Sequence, residues 1–368
     1  MFSRPPDRFE EWLHVPLASE CPDPRFDVRR VGEADFERVY DLVAAAFGHA
    51  RERAVNDWLY RRNVSGKARC WAVVERATGS FVGVDTNFPW PIAHGERLLY
   101  GSLTGDFAIA PRWQRQGISK FVYDCIVSCP WRAEETVIGW PNAKSRGSGK
   151  KHGHGHHQFG PLPRAVLALR ADQCFAALGV PRALSAAGGL VAQAALTVLW
   201  RARLRGGAAV RVEAIRRFDA SFNAVTERCM AWPDFWCPHD AEFLNWRYLD
   251  NPKGGYVALA TLDGMRPTGY GVLHVVGDHA WLTELVAPEQ PAKIRQALVA
   301  EMIRVAREAG CARLEFFATP RWRHWRWLHS VGFVRWRSEF ALYVNSPPEL
   351  QAHNLDAWQL LPGDTEVL

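Results

Sequence analysis

The order of apolar and polar positions repeats once along this chain. An acidic segment with apolar residues at helical spacing leads into Trp58, Tyr60 and Asn63. A second such segment leads into Trp246, Tyr248 and Asn251, with the same W-x-Y-x-x-N spacing. Each motif precedes an alternating run that predicts a strand, residues 71–75 and 256–260. A glycine-bearing strand follows in both halves, residues 81–84 and 269–273. A further strand ends at Ala110-Pro111 in one half and at Ala287-Pro288 in the other, and a helix and another strand complete each half. One short motif matches easily by chance, but a shared order of elements at a near-constant offset predicts a diverged internal duplication.

Between the halves, residues 184–200 carry no charge, are rich in Ala, Leu and Val, and include Gly188-Gly189; Arg201, Arg203 and Arg205 follow. A bilayer span needs about 20 apolar residues. This run is shorter and is diluted by Ser185, Gln193 and Thr197, so it predicts a buried or interfacial helix. The plan is then an N-terminal extension (1–25), a first domain (26–170), a helical linker (171–212) and a second domain (213–368). The fold class expected is α/β, with two mixed sheets flanked by helices.

Composition narrows the class. The chain has 368 residues, room for two domains, and 48% hydrophobic with 23% charged residues is a globular balance. None of the eight cysteines forms a C-x-x-C pair, so neither a zinc ribbon nor a thioredoxin motif is expected. No apolar signal segment follows Met1. Together these predict reduced cysteines in a cytoplasmic protein. The net charge of +6 fits an anionic partner (a nucleotide cofactor or an anionic membrane surface) or simply a solvated basic surface. No basic helix, RNP motif or zinc finger is present, so nucleic acid is not an expected partner. Several of the 17 Trp stand beside arginine, as at Trp322, Trp325 and Trp336, and Trp suits boundaries between wet and dry regions.

The segment from Gly105 to Val122 carries the sharpest chemistry. An apolar strand ends at Pro111, a polar loop with Gly117 follows, and an apolar-periodic helix runs to about Ser128. Backbone N–H groups at such a strand-to-helix turn, together with the helix dipole, make a pyrophosphate site. Gly117 permits close approach, and Arg112 and Arg115 can add charge-assisted bonds. The run Gln114-x-x-Gly117-x-Ser119 resembles the acetyl-CoA loop of the GNAT superfamily, Q/R-x-x-G-x-G/A, with serine in the last small position. The resemblance implies acyl-CoA (acetyl or long-chain) as co-substrate and no metal. It also implies cofactor contacts from Phe107, Ile109, Arg112, Gln114, Arg115, Gln116, Gly117, Ile118 and Ser119. Residues 137–145 look like the next GNAT strand, which makes Asn142 and Ser145 candidate pantetheine contacts; a turn and a helix N-cap remain open for them. In the second half the corresponding loop reads Glu289-Gln290-Pro291, with no glycine and a repelling carboxylate, so one cofactor site is expected. That half still ends in Gly332-Phe333, like a GNAT terminal turn, so the resemblance spans nearly the whole chain except the linker.

GNAT chemistry is direct attack of an amine on a thioester, and the family places an acidic base on the strand before the loop. Asp106 stands there; Asp in a strand interior is unfavourable, so it serves either as base or as a structural acceptor. The family's tyrosine acid is missing after Asn142. In its place stand Lys150, Lys151, His152, His154, His156 and His157. This cluster admits three readings: a basic surface loop, an acid/base contribution from His152 or His154, or a metal site, the last disfavoured without a partner motif. Cys125 and Cys129 read as core. Tandem relatives, and the GNAT-like bacterial ceramide synthases, imply an amine acceptor. The apolar linker, basic balance and Trp content favour a long-chain lipid amine at the cytoplasmic membrane face. An amino sugar is the rival acceptor, and a non-catalytic acyl-CoA or lipid-binding module the rival class.

Overall fold

The computed structural model describes residues 6–17, 21–127, 135–142, 146, 157–177, 179, 181–229 and 234–365. The first half runs α1 (Phe9–His14), β1 (Phe26–Val31), α2 (Phe36–Phe47), α3 (Arg53–Tyr60), β2 (Arg69–Glu75), β3 (Phe81–Pro89), β4 (Ile92–His94), β5 (Arg97–Ile109), α4 (Ile118–Val127), β6 (Glu135–Gly139), β7 (His157–Pro161) and β8 (Arg164–Ala168). Helices α5 (Ala171–Ala177) and α6 (Arg182–Leu204) link it to the second half. That half runs β9 (Val212–Ala214), α7 (Ser221–Cys229), β10 (Phe235–Trp236), α8 (Ala241–Leu244), β11 (Tyr256–Asp263), β12 (Arg266–Val276), β13 (His279–Val286), α9 (Lys293–Glu308), β14 (Arg313–Phe317), α10 (Trp325–Val331), β15 (Val334–Trp336), β16 (Ala341–Asn345) and β17 (Trp358–Gln359).

Two mixed sheets result, as the GNAT resemblance implies. One has the order β1-β2-β3-β5-β4-β10-β17, with β6 beside β5, β16 beside β6 and β7 beside β16. The other has the order β15-β8-β14-β13-β12-β11-β9. The pairing crosses the sequence order in both directions. First-half β8 lies between β14 and β15 of the second sheet, while second-half β16 lies between β6 and β7 of the first. The second half also lends β10 and β17 to the first sheet, so neither sheet is complete without both halves.

Glycines on β3 and β12 let a helix down onto each sheet. A Cβ on Gly83 would come within 2.9 Å of both Ile109 Cδ1 and Ile118 Cγ2, and one on Gly269 within 2.7 Å of Ile294 Cγ2. Helix α4 therefore settles over β2 and β3, and α9 settles over β11, β12 and β13. The repeated Trp motifs meet where the halves join. Trp58 and Trp246 stack with centroids 4.7 Å apart at 19°. Trp58 Nε1 donates to the Trp246 carbonyl at 2.8 Å, and Trp246 Nε1 to the Trp58 carbonyl at 3.3 Å. That reciprocity is a local two-fold relation. It satisfies both indole N–H groups while burying two large apolar rings, which an unpaired Trp could not do.

The linker forms the expected helix, α6. Gly189 lies so close to α5 that a Cβ there would sit 2.6 Å from Asp172 Cα. Trp200 and Leu204 are buried. The opposite face carries Leu184, Leu190, Val191 and Val198, all more than 60% exposed. Among the described residues no helix is long and apolar enough to cross a membrane.

Candidate functional site

The first site begins where two parallel strands part. β5 and β6 pair from Tyr100–Glu135 to Thr104–Gly139, and β5 then continues to Ile109 without β6. Over residues 105–109 the hydrogen-bonded neighbour of β5 is β3. That pairing jumps from Thr86–Gly105 to Val84–Ala108, which throws Asp106 and Phe107 into a bulge, with Asp106 at φ 49°. A bulge re-aims side chains and leaves backbone groups unpaired. Residues 105–109 of β5 thus run on past the end of its pairing with β6.

A loop that leads to a helix start follows this stretch. Pro111–Trp113 makes one 3₁₀ turn; Gln114 Nε2 donates back to the Ile109 carbonyl at 3.2 Å, and Gln116 Nε2 to the Arg112 carbonyl at 2.8 Å. Arg115 (φ 63°) and Gly117 (φ 84°) both take left-handed conformations before α4 begins at Ile118. Among the described residues, chain neighbours aside, no heavy atom lies within 4 Å of where a Gly117 Cβ would be. The first N–H groups of α4 have no acceptor inside the helix, and the dipole favours an anion there.

The loop residues divide by role. Gln114, Arg115, Gln116 and Gly117 are exposed around the helix start, and Ser119 is half-buried. Ile118 is buried under Gly83 and anchors the helix. Phe107 and Ile109 pack on the first core from the bulged strand. Arg112 is turned toward Glu75, with Nη2 3.3 Å from Oε2. Asn142 is exposed on the β6 side of the opening, two residues beyond Trp140. Ser145, His152 and His154 lie outside the described residues, as does Cys129; Cys125 is buried.

Asp106 is nearly sealed. Arg51 donates to both of its oxygens, to Oδ1 at 2.5 Å, and the Tyr60 hydroxyl donates to Oδ2 at 2.7 Å. Burial, reinforced by the Asp106 charge, pushes the Tyr60 pKa well up, so Tyr60 stays a donor. An amine would meet this carboxylate through a water or after one partner moves.

The second half contains the same arrangement, which the hydrophobic pattern does not announce. Glu284 on β13 accepts from Tyr248 at 2.6 Å and faces His239 Nδ1 at 2.7 Å. Arg51 and His239, Trp58 and Trp246, Tyr60 and Tyr248, and Asn63 and Asn251 are each 188 residues apart. Each half thus sets a cation and a tyrosine around a carboxylate at the bulged end of its central strand. Burial alone would lower the His239 pKa, but the charges of Glu284 and Asp364 outweigh it and push it up to about 10. The surroundings differ, however. β13 and β14 also part after Trp281–Glu315, and here the C-terminal segment packs against β13. Asp364 Oδ1 sits 2.8 Å from His239 Nε2, and buried Arg247 donates to the Gly363 carbonyl at 3.3 Å and the Thr365 carbonyl at 2.6 Å. The loop after β13 has no glycine, as the sequence shows.

Comparison with known proteins gives a fold. No family model and no curated protein matches the sequence. Solved structures do match. A probable N-acyltransferase from Enterococcus faecalis V583 has a TM-score of 0.58 at 9% identity, over 88% of this chain and 73% of that one. A GCN5-related N-acetyltransferase from Kribbella flavida has a TM-score of 0.53 at 15% identity, over 87% and 71%. The N-myristoyltransferase of Saccharomyces cerevisiae, solved with bound myristoyl-CoA, has a TM-score of 0.57 at 9% identity, over 100% and 93%. The chain therefore has the GNAT-like α/β fold expected from its loop motif. One of these neighbours matches along the full length of the chain, both halves included.

Proposed function

We propose that this protein moves an acyl group from acyl-CoA to a primary amine, using the parted strands of the first half and leaving the second half without cofactor. The observation that carries this reading is the combination, in the first half, of a parted strand pair, a bulge and an open helix start. The pantetheine arm would pair along residues 105–109, with Asn142 on the opposite lip, and the pyrophosphate would rest on the N–H groups near Gly117. The amine nitrogen attacks the thioester carbonyl, the carbon–sulfur bond breaks, an amide forms, and the amine proton leaves while CoA departs as thiol. The amine and thioester would meet at this bulge, where the backbone of β5 is re-aimed. Asp106 takes the proton from the amine, directly or through water, while Arg51 and Tyr60 hold the carboxylate in place, and that proton passes through water to the leaving sulfur, so that CoA departs as thiol. His152 and His154 stand as the other acid/base candidates. Amine-dependent release of free thiol from acyl-CoA tests the reading, with a chain-length series of acyl-CoAs against a panel of amines. Thiol release that needs both substrates supports it. Binding of acyl-CoA with no turnover on any amine points instead to an acyl-CoA-binding module.

For the acceptor we favour a long-chain lipid amine taken from the cytoplasmic face of a membrane. The apolar outer face of α6, followed by Arg201, Arg203 and Arg205, supports this choice over an amino sugar.

A further inference from the structure

The C-terminal segment connects the two halves' openings through one indole. Trp140 is the first residue after β6 leaves β5, so it stands on the lip of the opening in the first half. Its Nε1 donates to the Asp364 carbonyl at 2.9 Å, and its ring meets Phe317 edge-on at 5.4 Å. Phe317 in turn ends β14, the strand that parts from β13 in the second half. Residues 360–365 run between these points. The Thr319 N–H donates to the Leu360 carbonyl and the Leu360 N–H to Thr319 Oγ1, both at 3.2 Å. Asp364 folds the segment on itself by accepting from the Leu361 N–H at 2.7 Å, and it is 2% exposed. Gly363 lies so tightly against Glu284 and Tyr248 that a Cβ there would collide with both.

We propose that residues 360–365 are a strap that fills the second half's opening and positions Trp140 at the mouth of the first. His239, clamped between Glu284 and Asp364, is the residue that locks the strap. The physical reason lies in the indole. A Trp at the edge of an open apolar slot gains by lying down in it, and a fixed acceptor for its N–H holds it upright. The strap supplies that acceptor from a backbone carbonyl, and the strap itself is tied by a buried charged hydrogen bond, which is among the stronger kinds. The second half thereby gains a role of its own, because its carboxylate–cation–tyrosine set holds chain where the first half would hold cofactor.

The proposal rests on the acyl-CoA reading of the first half, and its test separates the two. Trp140→Phe keeps the ring contact with Phe317 and removes the donor. Asp364→Asn keeps the shape and weakens the lock. Each is expected to raise the KM for acyl-CoA about 2- to 12-fold, the range one typical hydrogen bond supplies. The kcat at saturation should hold, because neither residue touches the reacting atoms. The double variant should lose no more than the worse single, since both act through one contact. Calorimetric affinity for CoA should follow KM in the same variants. A wild-type chain without affinity for CoA overturns both the reading and the strap. A wild-type chain that binds, with both single variants folded and binding equally well, overturns the strap alone. Losses that add in the double variant overturn the link between Trp140 and Asp364.

Discussion

At the residue scale, each half of the chain spends one buried carboxylate in the same way. Asp106 and Glu284 each accept from the tyrosine of the duplicated W-x-Y-x-x-N motif and each face a cation. A carboxylate removed from water needs such partners, because an unpaired buried charge costs several kcal/mol. Only Asp106 belongs to the half whose following loop keeps a glycine. We expect Asp106→Asn to lower turnover by about 10²- to 10⁴-fold, the usual contribution of general base catalysis, with acyl-CoA affinity retained. Steady-state kinetics with calorimetry on the folded variant decides this. Full turnover in the variant would move the base elsewhere, with His152 and His154 next to be replaced. Asp106 was visible in the sequence because the GNAT resemblance implies an acidic group on that strand and a carboxylate inside a strand is otherwise unfavourable. Its partner Arg51 was not, since nothing in the run around Arg51 marks it as different from other surface arginines. The only sequence signal was the shared 188-residue offset to His239, and it appears once the motif alignment is extended seven residues upstream.

At the scale of elements, local periodicity located the strands and helices well, because alternation and helical spacing are local properties. The strand before the loop, the helix after it and the linker helix α6 all fall where the pattern placed them. Strand partners were a different matter. β8 and β16 are five residues each, and nothing in so short a run says which sheet it joins. The exchange of β8 and β16 between the halves is set by the packing of the whole chain. Helix α6 shows the limit of composition. Its inner face is fixed by Gly189 against α5 and by buried Trp200 and Leu204, while its outer face stays apolar from Leu184 to Val198. An apolar face that ends in three arginines suits an anionic membrane, where each basic residue near the surface contributes on the order of 1 kcal/mol. We expect the protein to co-sediment with phosphatidylserine-containing vesicles at low salt. High salt, or glutamine at positions 201, 203 and 205, should weaken that binding. Recovery of all the protein in the supernatant at low salt would remove the membrane argument, and with it the preference for a lipid amine.

At the scale of the whole molecule, the buried histidines make stability depend on pH from both sides. His239 has its pKa pushed up to about 10, so the fold binds a proton that the unfolded chain releases above about 6.5. Its contribution is complete below that point and is lost as the pH rises toward 10. His324 and His274 behave in the opposite way. Burial, aided by Arg323 near the first and Arg247 near the second, lowers them to about 3 and about 4. There the unfolded chain takes protons the fold refuses, so stability falls as pH drops below about 6.5. Denaturation midpoints should therefore peak near neutral pH, and His239→Gln should flatten the alkaline limb. An alkaline limb with the same slope in both proteins would contradict the clamp assigned to His239.

Also at this scale, we propose that the two halves share one plan and that only the first offers a slot for acyl-CoA. A calorimetric titration of the intact chain with acyl-CoA puts this to the proof, run on the wild type, Gly117→Glu and Gln290→Glu. Gly117 is left-handed, with open space where a ligand would approach, so a glutamate there brings strain and charge against the pyrophosphate. Position 290 lies in the loop that has lost its glycine. One equivalent should bind to the wild type, binding should be abolished in folded Gly117→Glu, and Gln290→Glu should be indistinguishable from wild type. Two equivalents per chain, or a Gly117→Glu variant that binds as the wild type does, would refute the single slot.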